Sequence, residues 1–452
     1  MMTDNRKLGR LEQAMEILNR RAKTWNILTI SRIKGALSEE ILKQALDIVQ
    51  YRQPRLNSQI VRSKNNLYFQ SDETKIALRV VNKLEAQQWQ EVVYEEMNEE
   101  IDSSKGLMRV VLVHALSDQH ISYLITTVHH AIADGLSCIQ LHSEILTYCQ
   151  KIVSGEAINP DTKLAPLPPT EDLLPEWTKG FKGRISSLRF LLRLAVQKIW
   201  HRPKTLGFEK YAPIAQRRCN LIHRQLDPEL TQQFVNRCRQ ENTTINSALC
   251  AALMFTIAKK ITKVNRKDVR VSCLSYFDLR RHIEPAISDK QMGVLASSMM
   301  GFYTIQKNTS FWELAREVKQ KLEAGTKQGD IFNMALIAKH LINFCFIQPK
   351  EVAATVSVSN AGKVNIPKIY GEFELEEISF AGSHSLYAGM FITHASTFQG
   401  KMLLNFVFSE PSISQDTMEG LVNNVMSCIF DVCNLKFNLR FTYDMCISCS
   451  AK

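Results

Sequence analysis

The stretch Ile121-Ser122-Tyr123-Leu124-Ile125-Thr126-Thr127-Val128 is apolar and β-branched and runs straight into a histidine pair, His129-His130. Three small or apolar residues follow, then Asp134-Gly135, then apolar positions at helical spacing from Leu136 to Tyr148. This order predicts a strand, a short turn closed by Asp-Gly, and a helix. Met108–Ala115 is apolar too, and Ser117-Asp118-Gln119-His120 joins the two runs as a hairpin. A strand that ends in histidines at such a turn suits a buried imidazole at a cleft, and a neutral imidazole is well matched to taking a hydroxyl or amine proton near neutral pH.

The rest of the chain reads as helices and strands in alternation. Residues 8–22 carry Leu8, Leu11, Ala14, Met15 and Leu18 at three- and four-residue spacing, and Ile27 to Ile30 follows as a strand. Ser38-Glu39-Glu40-Ile41 is a helix start, with an N-cap serine and acidic residues in the first turn. Asn66–Gln70 and Ile76–Val81 read as strands, and 85–100 as a polar helix. Residues 151–180 hold Pro160, Pro166, Pro168, Pro169 and Pro175 and predict an extended connection, which divides the chain into 1–180 and 181–452.

Beyond it, 183–201 is a basic, partly amphipathic helix that fits either an anionic membrane or a solvated face packed through its leucines. Ser247 to Ile261 is a strongly apolar helix, Val269–Tyr276 a strand, and Ser310-Phe311-Trp312-Glu313 opens a further amphipathic helix. Ala354–Ser359, Glu374–Phe380, Met390–Thr397 and Met402–Phe408 predict strands, and Ser412–Cys428 a last helix. The whole reads as an α+β, or mixed α/β, chain of two related halves.

At 452 residues and 45% hydrophobic content, the chain can bury a large core. A net charge of +11 leaves open a merely basic surface, an acidic carrier protein, a phosphate-bearing ligand such as coenzyme A, or an anionic membrane. Nucleic acid is not indicated, because no zinc-finger spacing and no basic-aromatic alternation occurs. The 11 cysteines are scattered, and Cys250 and Cys273 lie in apolar surroundings. Cys446 and Cys449 form one C-x-x-C near the end, a weak metal or redox signal. With no secretory pattern at the start and no continuous apolar stretch of about 18 residues, a reducing cytoplasm is the expected compartment.

His130 is the candidate general base. Attack by a hydroxyl or amine on an acyl thioester releases a proton as the new bond forms, and one imidazole within reach can take it. No G-x-S-x-G elbow is present, so a direct ternary complex is expected rather than an acyl-enzyme. Asp134 either orients the imidazole, as in a triad, or points away to an arginine and fixes the turn. Gly135 would supply a conformation or a closeness that a β-carbon forbids. Metal binding by His129, His130 and Asp134 is disfavoured because neighbours on a strand project to opposite faces, and no H-E-x-x-H occurs.

The heptapeptide from His129 to Gly135 resembles the H-H-x-x-x-D-G motif of condensation domains, wax ester synthases, plant BAHD acyltransferases and polyketide-associated acyltransferases. Gln53-Pro54-Arg55-Leu56 resembles the R-H-P-x-L segment, with Gln where His is usual. Phe277-Asp278-Leu279-Arg280-Arg281, followed by Gly293, and Val356-Ser357-Val358-Ser359-Asn360-Ala361-Gly362 resemble second-half elements of the same group. The D-F-G-W-G element of the plant enzymes is absent. The nearest resemblance is to standalone polyketide-associated acyltransferases, such as phthiocerol dimycocerosyl transferases and alcohol acyltransferases.

The resemblance implies two chloramphenicol-acetyltransferase-like subdomains in a V-shaped pair with a tunnel between them. It makes His130 the base and Asp134 a mainly structural partner of Arg280, although Arg280 could instead bind a donor phosphate. Ser359 and Asn360 become tunnel or oxyanion candidates, while Asn-Ala-Gly is equally good turn chemistry. The implied activity is O-acyl transfer from acyl-coenzyme A or an acyl carrier protein onto a lipid, polyketide or other alcohol. The alternatives are amide formation on an amine, or a non-catalytic protein that binds a carrier or a lipid. No metal or resident cofactor is implied, and a monomer is expected. The segment 436–452 matches no part of the family.

Overall fold

The computed structural model describes residues 5–118, 120–158, 163–262, 268–434 and 439–441. Among them are eleven α-helices, two six-stranded sheets and a small three-stranded one. The mixed α/β expectation holds.

The first large sheet is ordered Ile369–Tyr370, Phe373–Gly382, Asn26–Lys34, Ile121–His129, Met108–Ala115, Ala77–Lys83. Ile121–His129 lies inside it, antiparallel to both neighbours, and every one of its residues is buried. Helices Glu39–Arg52 and Gly135–Val153 pack together beside it, and helix Trp89–Asn98 packs elsewhere against the same strands. The continuous apolar run from Ile121 is therefore the signature of an interior strand covered on both faces.

The second large sheet is ordered Ala296–Ile305, Val269–Asp278, Val356–Lys363, Phe391–Phe398, Lys401–Glu410, Arg218–Leu226. Helix Ile245–Thr262 forms its core backing and is apolar on all sides because it is enclosed, from Ser247 to Ala258 without a break. Phe311–Lys327 and Gln415–Cys433 pack beside that helix.

The division at residue 180 is crossed by the chain itself. Strand Phe373–Gly382 belongs to the second half by sequence but pairs with Asn26–Lys34 of the first, from Glu374 opposite Lys34 to Gly382 opposite Ile27. Its Phe373, Leu375, Ile378 and Phe380 are buried in the first core. The proline-rich connection is extended only in part, over 163–169: residues 151–153 still belong to helix Gly135–Val153, Thr170–Leu173 forms a short helix and Glu176–Thr178 a 3₁₀ turn, since proline suits the residue just before or at a helix start as well as extended chain, and the connection is pinned by both halves. Leu164 N–H donates to the Arg52 carbonyl at 2.9 Å, Arg6 Nη2 donates to the Leu167 carbonyl at 3.1 Å, and Thr170 Oγ donates to the Val294 carbonyl at 3.0 Å.

Cys446 and Cys449 lie outside the described residues, as does most of 436–452. The described part of that tail is built into the fold. Phe311 N–H donates to the Leu439 carbonyl, Asn308 N–H to that of Phe441, and the fully buried Phe441 ring meets Phe255 edge-on at 5.7 Å.

Candidate active site

Strand Ile121–His129 delivers the histidine pair to the place where the two halves meet. The two rings part as strand geometry requires. His129 is fully buried and points to helix Arg10–Ala22, where its Nε2 lies 2.9 Å from Glu16 Oε2. Its Nδ1 accepts from Ala131 N–H at 3.0 Å, so the proton sits on Nε2, the nitrogen that faces the Glu16 carboxylate. Burial works against the Glu16 carboxylate. The hydrogen bond and charge of His129, with Arg20 and Ser103, outweigh it and hold its pKa below the ordinary value.

His130 is only partly buried. Its Nδ1 lies 2.7 Å from the Ala133 carbonyl, which can only accept, so Nδ1 carries the proton and Nε2 keeps its lone pair. Desolvation pulls the His130 pKa below the usual histidine value, and the Ala133 carbonyl and Asp134 charge offset this only in part. The ring lies near-parallel to Trp25, centroids 6.4 Å apart, and Trp25 meets Tyr387 edge-on at 4.9 Å. Trp25 has a left-handed backbone, φ 84°, unusual for an aromatic residue. Ser383 Oγ holds that conformation by accepting from the N–H groups of both Trp25 and Asn26, at 3.0 and 3.1 Å. Sequence reading missed Trp25 and Tyr387, and the left-handed turn has no signal because neither Gly nor Asn stands there.

Asp134 does not serve the imidazole. Among the described residues, its hydrogen bonds go elsewhere: Oδ1 accepts from Ser137 N–H at 2.9 Å and so caps helix Gly135–Val153. Oδ2 accepts from Arg280 Nη1 at 2.7 Å and from Leu295 N–H at 3.0 Å. The triad alternative for Asp134 is thereby corrected to the structural one. Burial opposes its charge, yet the Arg280 guanidinium and the two N–H groups keep its pKa below the usual carboxylate range.

Arg280 also donates to Asp278 Oδ1 at 3.1 Å and, through Nη2, to Ser137 Oγ at 2.7 Å. With both terminal nitrogens committed and the side chain 1% exposed, Arg280 is a tie between halves and has no face for a donor phosphate. Gly135 works by closeness: a β-carbon there would sit 2.8 Å from the Phe380 ring of the crossing strand.

Ser359 and Asn360 lie on strand Val356–Lys363, Ser359 in register with His394. Asn360 Oδ1 accepts from Gly362 N–H at 2.8 Å, which is the turn chemistry, and it leaves the amide N–H₂ as the donor end. Two further histidines reach the same region. His394 Nε2 accepts from Gly382 N–H at 3.3 Å, and His384 Nε2 donates to the Val407 carbonyl at 3.3 Å. Burial pushes their pKa values down to about 3 and about 4, so both are neutral, and His394 feels His384 and His130 electrostatically.

Comparison with known proteins follows these two halves. Residues 13–164 match the family model described as condensation domain. Residues 215–407 match that of the phthiocerol/phthiodiolone dimycocerosyl transferase C-terminus. A probable alcohol acetyltransferase, FCK4, of Fusarium pseudograminearum is 23% identical over 65% of this chain, and the match spans 64% of that protein's length. The solved TRI3 trichothecene 15-O-acetyltransferase of Fusarium sporotrichioides superposes with a TM-score of 0.75 at 11% identity, over 95% of this chain and 96% of its own. Polyketide synthase associated protein 5 of Mycobacterium tuberculosis does so with a TM-score of 0.66 at 16% identity, over 95% and 97%. At these identities the structures establish the shared two-lobed fold.

Proposed function

We propose that the chain belongs to the superfamily that joins condensation domains and PapA-type acyltransferases, whose two models match its separate halves, and that it transfers an acyl group from a thioester to a hydroxyl. The observation that carries the reading is the His130 ring, held by the Ala133 carbonyl in the tautomer that leaves Nε2 basic, at the junction of the halves. Its lowered pKa keeps that nitrogen unprotonated at neutral pH.

In the proposed step, Nε2 takes the acceptor's hydroxyl proton as the oxygen bonds to the thioester carbonyl carbon. The tetrahedral intermediate then collapses with cleavage of the carbon–sulfur bond, and the imidazolium returns the proton to the leaving thiolate. The products are an ester and a free thiol, and the enzyme is unchanged. The Nδ1–H to Ala133 hydrogen bond supports the imidazolium while it exists. The alcohol acetyltransferase relative and the two-lobed acetyltransferase neighbour support an alcohol acceptor.

The test is a panel of acyl-coenzyme A donors with alcohol and amine acceptors, read by thiol release and product mass beside His130→Ala. Ester formed by the wild type and reduced about 10²–10⁴-fold in a folded His130→Ala protein is the expected result. Amide as the main product would transfer the reading to the condensation side. Full turnover by His130→Ala would overturn the role of the base.

A further inference from the structure

The helix after the proline-rich connection, Gly180–His201, is 22 residues long, or about 33 Å. It packs on the body through a thin face, where Gly183 and Phe190 are its buried residues. Its opposite face is apolar and open. Phe181, Leu188, Leu192, Val196, Ile199 and Trp200 are between 57% and 77% exposed. At 100° per residue, Phe181, Leu188, Leu192 and Ile199 fall within a stripe about 40° wide. Singly exposed apolar residues are ordinary, but a row along a whole helix is not.

Cations border the stripe. From Lys179 to Lys204 the sequence holds eight Lys and Arg and no Asp or Glu. Arg184 lies on one side of the stripe and Lys182 and Arg189 on the other, about 60° to 100° from its centre. Among the described residues Lys182, Arg184, Arg189, Arg202 and Lys204 are exposed and make no ion pair. The helix beneath, Asp330–Ile347, is mostly apolar over its 18 residues, interrupted by Asp330, Asn333, Lys339, His340 and Asn343, and only 39% of it is buried. It leaves Phe344 and Ile347 open to solvent.

We propose that this surface docks the protein on an anionic lipid bilayer, with the stripe in the acyl–headgroup boundary and the flanking cations at the phosphates. A straight 33 Å row of exposed apolar side chains matches a flat surface, Trp200 suits the interfacial zone, and the charge is complementary to an anionic partner. Pairing of two copies through the same stripe would set these unpaired cations against their equivalents. The surface is joined to the site by packing: Asp330–Ile347 lies against Arg10–Ala22, where Arg21 covers the Phe346 ring at 3.9 Å, and Arg10–Ala22 supplies the Glu16 that holds His129.

The experiment is flotation of the full chain with vesicles of phosphatidylcholine, with and without one third phosphatidylglycerol, at near-physiological salt. It reads binding alone and so stands apart from the proposed reaction. The protein should float with anionic vesicles and not with neutral ones, and high salt should release it. Leu188→Gln/Leu192→Gln/Ile199→Gln and Arg184→Glu/Arg189→Glu should each cut partitioning at least about ten-fold. Both variants should keep the wild-type circular dichroism spectrum, and Lys64→Glu/Lys307→Glu, exposed elsewhere, should bind as the wild type. Absence of flotation on anionic vesicles, or flotation indifferent to both helix variants, overturns the proposal. So does a concentration-dependent dimer that the same variants abolish, since the stripe would then be a contact between copies.

Discussion

Replacing Asp134 by Asn removes one charge at constant volume from a cluster that ties the two halves. The Arg280 side chain is 1% exposed and the Asp134 side chain 5%, so solvent cannot take over the lost partner. The Asn amide can still accept from Ser137 N–H, but its N–H₂ then faces Arg280 Nη1 and Leu295 N–H, donors against a donor. Breaking one side of a buried pair costs about 3–5 kcal/mol. Asp278 Oδ1, 3.1 Å from the same nitrogen, retains part of the counter-charge and places Asp134→Asn at the lower end, near 3 kcal/mol. Arg280→Met leaves two carboxylates facing each other and belongs at the upper end, about 5 kcal/mol. With a urea slope of about 3 kcal/mol/M these are midpoint shifts of about 1 and 1.7 M. The double variant leaves no unpaired guanidinium and should lose about 2 kcal/mol less than the sum. Urea titration by fluorescence reads the stability, and acyl-transfer rates on folded protein at low temperature read the chemistry. Asp134→Asn should keep at least about a tenth of kcat/KM, because its hydrogen bonds serve the turn and not the imidazole. A variant as stable as the wild type, or one folded normally but as inactive as His130→Ala, would refute the assignment.

Further predictions come from the same geometry. The lowered pKa of His130 should place the acid limb of the kcat/KM profile below about 6.5, the ordinary histidine value; a limb above it would contradict a desolvated neutral base. Asp134 has a lowered folded pKa, so its contribution to stability is complete above about pH 4, the unfolded value, and is lost as pH falls through the folded one. Acid titration of wild type against Asp134→Asn should converge below that range. Gly135→Ala pushes a methyl to 2.8 Å from Phe380 and should cost about 1–3 kcal/mol, with recovery of thermal stability in Gly135→Ala/Phe380→Leu; no recovery would place the strain elsewhere. Glu16→Ala strands His129 and Ser103 in the core, removes the partner of the exposed Arg20, and should lower stability by about 3 kcal/mol while the pH profile keeps its shape.

What the sequence made legible was local. The run from Ile121, the histidine pair and the capping Asp134 are written within fourteen residues, and strand, turn and helix follow from period and cap alone. The pairing of Asp134 with Arg280 joins residues 146 apart and was reachable only through the family resemblance. Strand Ala296–Ile305 was not anticipated, since Ser297, Ser298 and Gly301 dilute its β signal. Helix Asp330–Ile347 escaped notice because its apolar residues surround it and give no dominant face. Trp25, the residue that faces the candidate base, owes its backbone to Ser383, more than 350 positions away, and no local pattern announces such a contact.

The crossing strand Phe373–Gly382 also dictates an order of manufacture. Until it is synthesised, the Asn26–Lys34 strand has a bare edge, and the first core lacks Phe373, Leu375, Ile378 and Phe380. The amino-terminal half therefore cannot complete its sheet until residue 382 has been synthesised. A gene cut at the proline-rich connection would release a sticky half-sheet, and a peptide carrying 369–382 would be the piece able to heal it.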